Sequence, residues 1–143
     1  MKGYWDSSAI LPLCLSAPNS QKTRLLWRIS DERYAPWFMP VEVMSALARA
    51  ERSGDITLGN RLIAENLFES IENKFTVIHF EDRLIEIART LPVKYGLTAL
   101  DSLQLASALV WCKEYPKNKD FVTADARLSK AAERAGFLVH YLN

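Results

Sequence analysis

Short β-rich runs alternate with helical segments along the whole chain, and this alternation limits the fold more than any other feature of the sequence. Gly3–Trp5, Tyr34–Phe38, Phe75–His79, Phe121–Thr123 and Phe137–Tyr141 read as strands. The segments between them carry apolar residues at helical spacing, as in Val43, Met44, Leu47 and Ala50, or Leu84, Ile87, Ala88 and Leu91. The spacing predicts helices over 7–15, 19–32, 41–53, 57–73, 81–91, 99–111 and 126–135. In the helix over 19–32, Leu25, Leu26 and Ile29 are expected to face inward. The stretch from Ala99 to Trp111 is apolar nearly all round, the mark of a buried central helix. Pro12 falls inside the first helix, which should start late or bend. Pro40 suits a first helical position, and Gly136 suits a helix end. Strands alternating with helices imply an α/β fold with a mainly parallel sheet. At 143 residues the expectation is a single domain, 1–143, with no repeat and no long linker. In such sheets ligands bind beyond the carboxyl ends of the strands.

Four acidic residues fall where that architecture would gather them. Asp6 and Asp125 directly follow strand runs, and Glu42 and Asp101 lie at or near helix starts in apolar sequence. Each taken alone has an ordinary explanation. Asp6 can cap a helix, Asp101 matches a capping-box spacing, and Asp125 and Glu42 can complement helix dipoles. Taken together they need more than capping. Leu97, Ala99, Leu100, Leu103 and Leu105 bracket Asp101, and Met39, Val41, Val43 and Met44 bracket Glu42. A carboxylate in apolar surroundings must be paired, protonated or bound to metal. No lysine or arginine lies within a helical turn of Asp101, and Glu42 has none after it until Arg49. A divalent cation is the economical partner. An all-oxygen donor set selects Mg²⁺ or Mn²⁺ over zinc or copper, and such an ion serves phosphodiester hydrolysis.

Other features narrow the class. The formal charge is +1, which neither favours nor excludes a nucleic-acid partner. Cys14 and Cys112 sit apart in helical stretches and read as buried free thiols; His79 and His140 have no zinc-like spacing. The N-terminus lacks the apolar core of a signal peptide, and no stretch reaches the ~18 apolar residues of a membrane span. A cytoplasmic location and no membrane association are expected.

The segments Tyr4-Trp5-Asp6-Ser7-Ser8-Ala9, Val41-Glu42-Val43, Leu97 to Ala106 and Thr123 to Leu128 resemble, in order and spacing, the four acidic motifs of the PIN domain. The chain looks most like the VapC-type toxins of toxin–antitoxin pairs, over Gly3 to about Tyr141. The resemblance implies a three-layer α/β/α PIN-like fold with a central, mainly parallel sheet. It implies a Mg²⁺- or Mn²⁺-dependent endoribonuclease with RNA as substrate. Asp6, Glu42, Asp101 and Asp125 would then bind the metal, with Ser8 and Thr123 as hydroxyls that orient the acids or a water. It also implies a cognate antitoxin as partner and a homodimer. Gln104 stands where many relatives carry histidine, and Pro12 in the first helix is expected to alter the groove beside Asp6. Arg49, Arg52, Lys94, Arg127 and Lys130 are candidates for a phosphate-holding rim. A non-toxin PIN nuclease of RNA processing or decay, and a catalytically silent binding module, are the alternatives. An aspartate-nucleophile phosphatase needs a D-x-D start, and Asp6 is followed by Ser7-Ser8.

Overall fold

A computed structural model describes residues 1–143. The elements follow as β1 (Lys2–Trp5), α1 (Ser7–Cys14), α2 (Ser20–Ile29), β2 (Glu32–Pro36), α3 (Met39–Arg52), α4 (Leu58–Glu72), β3 (Thr76–Ile78), α5 (Asp82–Ala88), α6 (Leu91–Tyr95), α7 (Ala99–Trp111), β4 (Asp120–Thr123), α8 (Ala126–Ala135) and β5 (Leu138–Tyr141). The five strands form one sheet in the order β3-β2-β1-β4-β5, every neighbouring pair parallel. The expected mainly parallel sheet is therefore wholly parallel.

Successive strand residues point to opposite faces, and the sequence uses this to build two cores. Tyr4 and Phe121 face one layer, where they stack at 5.3 Å and pack with Leu84, Leu105 and Leu128 from α5, α7 and α8. Trp5 and Val122, one residue on, face the other layer, with Ile10, Leu26, Val43, Leu47 and Phe68 from α1 to α4. Helices thus cover both faces, giving the three layers. Cys14 and Cys112 are buried free thiols, one in each core. No helix is long and apolar enough to cross a membrane.

Several boundaries differ from the sequence expectation. The second helix stops at Ile29 rather than Glu32, because Glu32 already belongs to β2, paired with Lys2 of β1. Of its expected inward residues only Leu26 is buried; Leu25 and Ile29 face solvent. Pro12 neither delays nor splits α1; the helix starts at Ser7, runs through the proline and ends at Cys14. The third helix begins at Met39, with Pro40 at its second position. Along α4, Phe68 is core, while Leu58, Leu62, Ile63 and Leu67 are exposed.

This topology decides where a site can form. From β1 the chain crosses to β2 on one side, and β4 lies on the other side of β1. The order reverses at β1, and the crevice of an open α/β sheet lies beyond the carboxyl end of the strand where that happens. Asp6 is the residue that follows β1.

Candidate active site

Asp6, Ser7, Ser8, Glu42, Arg49, Asp101 and Asp125 line one pocket of about 190 Å³ at this edge of the sheet. Four elements deliver them. Asp6 is anchored by its own backbone, whose N–H donates to Val122 O at 3.0 Å and continues the β1–β4 ladder. Glu42 comes from the first turn of α3, Asp101 from the first turn of α7, and Asp125 from the residue just before α8.

Each acid is held differently. Asp6 occupies a helix N-cap position but its side chain makes no capping bond. Its Oδ2 instead accepts from Thr123 Oγ1 at 2.8 Å and from Ser8 Oγ. Ser8 Oγ also accepts from the Ala124 N–H at 2.9 Å, and Thr123 Oγ1 from the Asp125 N–H at 3.0 Å. The two hydroxyls thus clamp Asp6 to the β4–α8 turn. Asp125 is a true cap: its Oδ1 accepts the Leu128 N–H at 2.8 Å. Asp101 is not the cap of α7. Thr98 is, accepting the Asp101 N–H at 3.2 Å, so Asp101 sits on the third helical residue. Glu42 Oε1 accepts from Gln104 Nε2 at 2.6 Å and from Ser7 Oγ at 3.1 Å.

Burial is uneven. Asp6 is 4% exposed, whereas Glu42, Asp101 and Asp125 are half-buried. The apolar neighbours of Glu42 and Asp101 do not enclose them, because adjacent residues on a helix point in different directions. Val41 is 72% and Leu100 54% exposed. Burial pushes the Asp6 carboxyl up to about 6; Ser8 and Thr123 oppose the rise, and the nearby Glu42 and Asp125 charges add to it. Asp101 is also raised, first by burial and then by Asp125, against the pull of Thr98 and Arg127. Cations therefore do act on the cluster: Arg49, further along the helix that carries Glu42, lines the pocket, and the charge of Arg127 from α8 acts on Asp101. Lys94 lines a separate depression with Thr90 and Tyr95, and neither Arg52 nor Lys130 lines the acidic pocket.

No three of these side chains converge tightly enough to enclose an ion on their own. The donor chemistry nevertheless fits a hard cation. Asp6, Glu42 and Asp125 each spend one carboxylate oxygen on protein donors, and the other oxygen of each receives none. Magnesium is held by one or two carboxylates and keeps several waters, so an open oxygen-lined pocket suits it better than a closed cage.

The PIN domain family pattern matches residues 4–134. The chain belongs to the PIN domain family. Its fold is also that of several solved structures. One is a chain of a toxin–antitoxin complex from Klebsiella pneumoniae, with TM-score 0.61 and 15% identity over 87% of this chain and 87% of that one. Another is PAE2754 from Pyrobaculum aerophilum, with TM-score 0.67 and 17% identity over 97% and 89%. A third is FitAcB from Neisseria gonorrhoeae, with TM-score 0.66 and 16% identity over 95% and 94%. No curated protein matches the sequence significantly. PIN domains are generally nucleases, which supports a hydrolase acting on nucleic acid.

Two polar residues of this PIN domain escaped the sequence reading as parts of the site. Ser7 touches both Glu42 and Gln104. Gln104, noted only as a departure from histidine, is 1% exposed and fully hydrogen-bonded. The signal was present: an amide three residues after Asp101, inside a buried apolar helix, has to find partners.

Proposed function

We propose that this PIN domain is a Mg²⁺- or Mn²⁺-dependent endoribonuclease and the toxin of a toxin–antitoxin pair. The observation that carries the reading is the gathering of Asp6, Glu42, Asp101 and Asp125 in one pocket at the reversal point of the sheet. A divalent ion bound there would supply Lewis acidity toward the phosphodiester and acidify water for attack. The chain's own residues do the rest. Asp6 and Asp101 are the principal ligands, with Glu42 and Asp125 bonded directly or through water. Ser8 and Thr123 fix one oxygen of Asp6, so its second oxygen keeps a constant direction. Arg49, which lines the pocket, would hold a substrate phosphate against the acids, with the charge of Arg127 near Asp101 adding to the attraction. The neighbour from a toxin–antitoxin complex supports a protein antitoxin as partner, and a homodimer is proposed with it.

The test is cleavage of labelled RNA with Mn²⁺, with EDTA, and after Mn²⁺ is restored. Asp6→Asn and Asp101→Asn are expected to remove cleavage while the protein stays folded. Wild-type-level cleavage by either variant in EDTA would sink the metal-nuclease reading. Growth arrest on expression, relieved by the adjacent gene's product, tests the toxin role. Cleavage without arrest would move the protein to RNA processing or decay. Light scattering tests the dimer, with a monomer as the contrary result.

A further inference from the structure

Gln104 lies at the meeting point of three elements and bonds all of them. Its Nε2 donates to Glu42 Oε1 at 2.6 Å and to Ser7 Oγ at 3.0 Å. Its Oε1 accepts from the Tyr4 hydroxyl at 2.6 Å. Tyr4 is fully buried in β1, Ser7 opens α1, and Glu42 belongs to α3. Every donor and acceptor of the amide is used, and only one orientation works. A flipped amide would set its oxygen against the Glu42 carboxylate oxygen and lose the N–H bond it now makes there. The Tyr4 hydroxyl, donating to the amide oxygen, supports the orientation that avoids this, and the amide fixes Glu42. The bond to a carboxylate is charge-assisted and short, the stronger class of hydrogen bond. Its effect is to commit Oε1 to the protein while no protein donor reaches Oε2.

We infer that Gln104 is a positioning residue, which with Tyr4 and Ser7 presents the free oxygen of Glu42 to the cation. The inference rests on the proposed role of Glu42 as a ligand. Partners that orient a metal-binding side chain typically contribute 10–100-fold to metal affinity. A glutamine does this with a group that itself carries no titrating proton, unlike an imidazole at the same place.

The experiment is Mn²⁺ titration by calorimetry on the wild type, Glu42→Gln, Gln104→Leu and the double variant, each checked for folding by circular dichroism. Glu42→Gln and Gln104→Leu should each weaken binding, the latter about 10–100-fold. In the Glu42→Gln background, Gln104→Leu should add no more than about twofold, because the amide acts through Glu42. Unchanged affinity in Gln104→Leu, or losses that multiply in the double variant, would overturn the inference. Should Gln104→Leu fail to fold, Tyr4→Phe keeps the ring and removes only the hydroxyl. It should weaken binding in the wild-type background and not in Glu42→Gln; wild-type affinity in Tyr4→Phe is then the overturning result. A Glu42→Gln variant that binds Mn²⁺ normally strikes at the ligand assignment itself. A weakened Glu42→Gln beside an unaffected Gln104→Leu strikes only at the positioning role.

Discussion

Asp6 is buried at 4% exposure with two hydroxyls, two further acids and no basic partner bonded to it. Folding therefore raises its carboxyl from 3.8 to about 6. A raised acid binds its proton more tightly in the folded protein than in the unfolded chain. The resulting cost is absent below about pH 4, grows between about pH 4 and 6, and above that approaches about 3 kcal/mol. Asp6→Asn removes this charge and keeps an oxygen for Ser8 and Thr123. In urea denaturation with EDTA it should be more stable than wild type by about 1–3 kcal/mol at pH 7, with the gain gone near pH 4. A variant less stable at pH 7 would contradict this. At this scale the sequence was a partial guide. Asp6 and Asp125 were legible from their places after strands. The reasoning for Glu42 and Asp101 leans on apolar neighbours that split between the two sides: Met39, Val43, Leu97 and Leu105 are core, while Val41 and Leu100 face solvent, so none of them encloses the acids. Those two acids reach the pocket because of where α3 and α7 begin, which no local pattern states.

Helix ends aim the site residues, and two of them separate function from stability. Thr98 caps α7 and fixes the turn that bears Asp101. Thr98→Ala should cost about 1 kcal/mol of stability and also lower cleavage, since the first turn loosens; melting and RNA assays check both. Gly136 closes the opposite end of α8 at φ 114°, where a Cβ would lie 3.1 Å from Pro116 Cγ. Gly136→Ala should cost about 1–2 kcal/mol and leave the kcat of the remaining folded protein unchanged, because Asp125 sits at the other end of that helix. The elements are legible where periodicity and punctuation agree: Gly136 ends α8 in left-handed geometry, as its position suggests. The sequence misled around residues 30–38. There the helical pattern extends to Glu32 and the strand pattern starts at Tyr34, yet pairing with Lys2 and Gly3 of β1 draws Glu32 and Arg33 into the sheet. Strand pairing between distant segments overrides local preference.

At the scale of the whole molecule, an ion held only by the folded pocket must stabilise the fold by mass action. On the proposed function, Mn²⁺ at a hundred times its dissociation constant should add about 2.7 kcal/mol, visible as a raised melting temperature that EDTA reverses. Asp6→Asn and Asp101→Asn should lose that response. The layered class was legible from alternation alone, but the strand order was not, because any strand can in principle pair with any other. That order has a consequence for synthesis. Tyr4 in β1 finds its neighbour Phe121 in β4 only after most of the chain exists, and Asp6 gains its clamp from Thr123 at the same moment. The ribosome thus releases Asp6 and Glu42 early, as ordinary acids on an unfinished sheet. Contacts this distant in sequence also form slowly. On the proposed function, a fragment that stops before β4 lacks both Thr123 and Asp125 and so forms no complete acidic pocket.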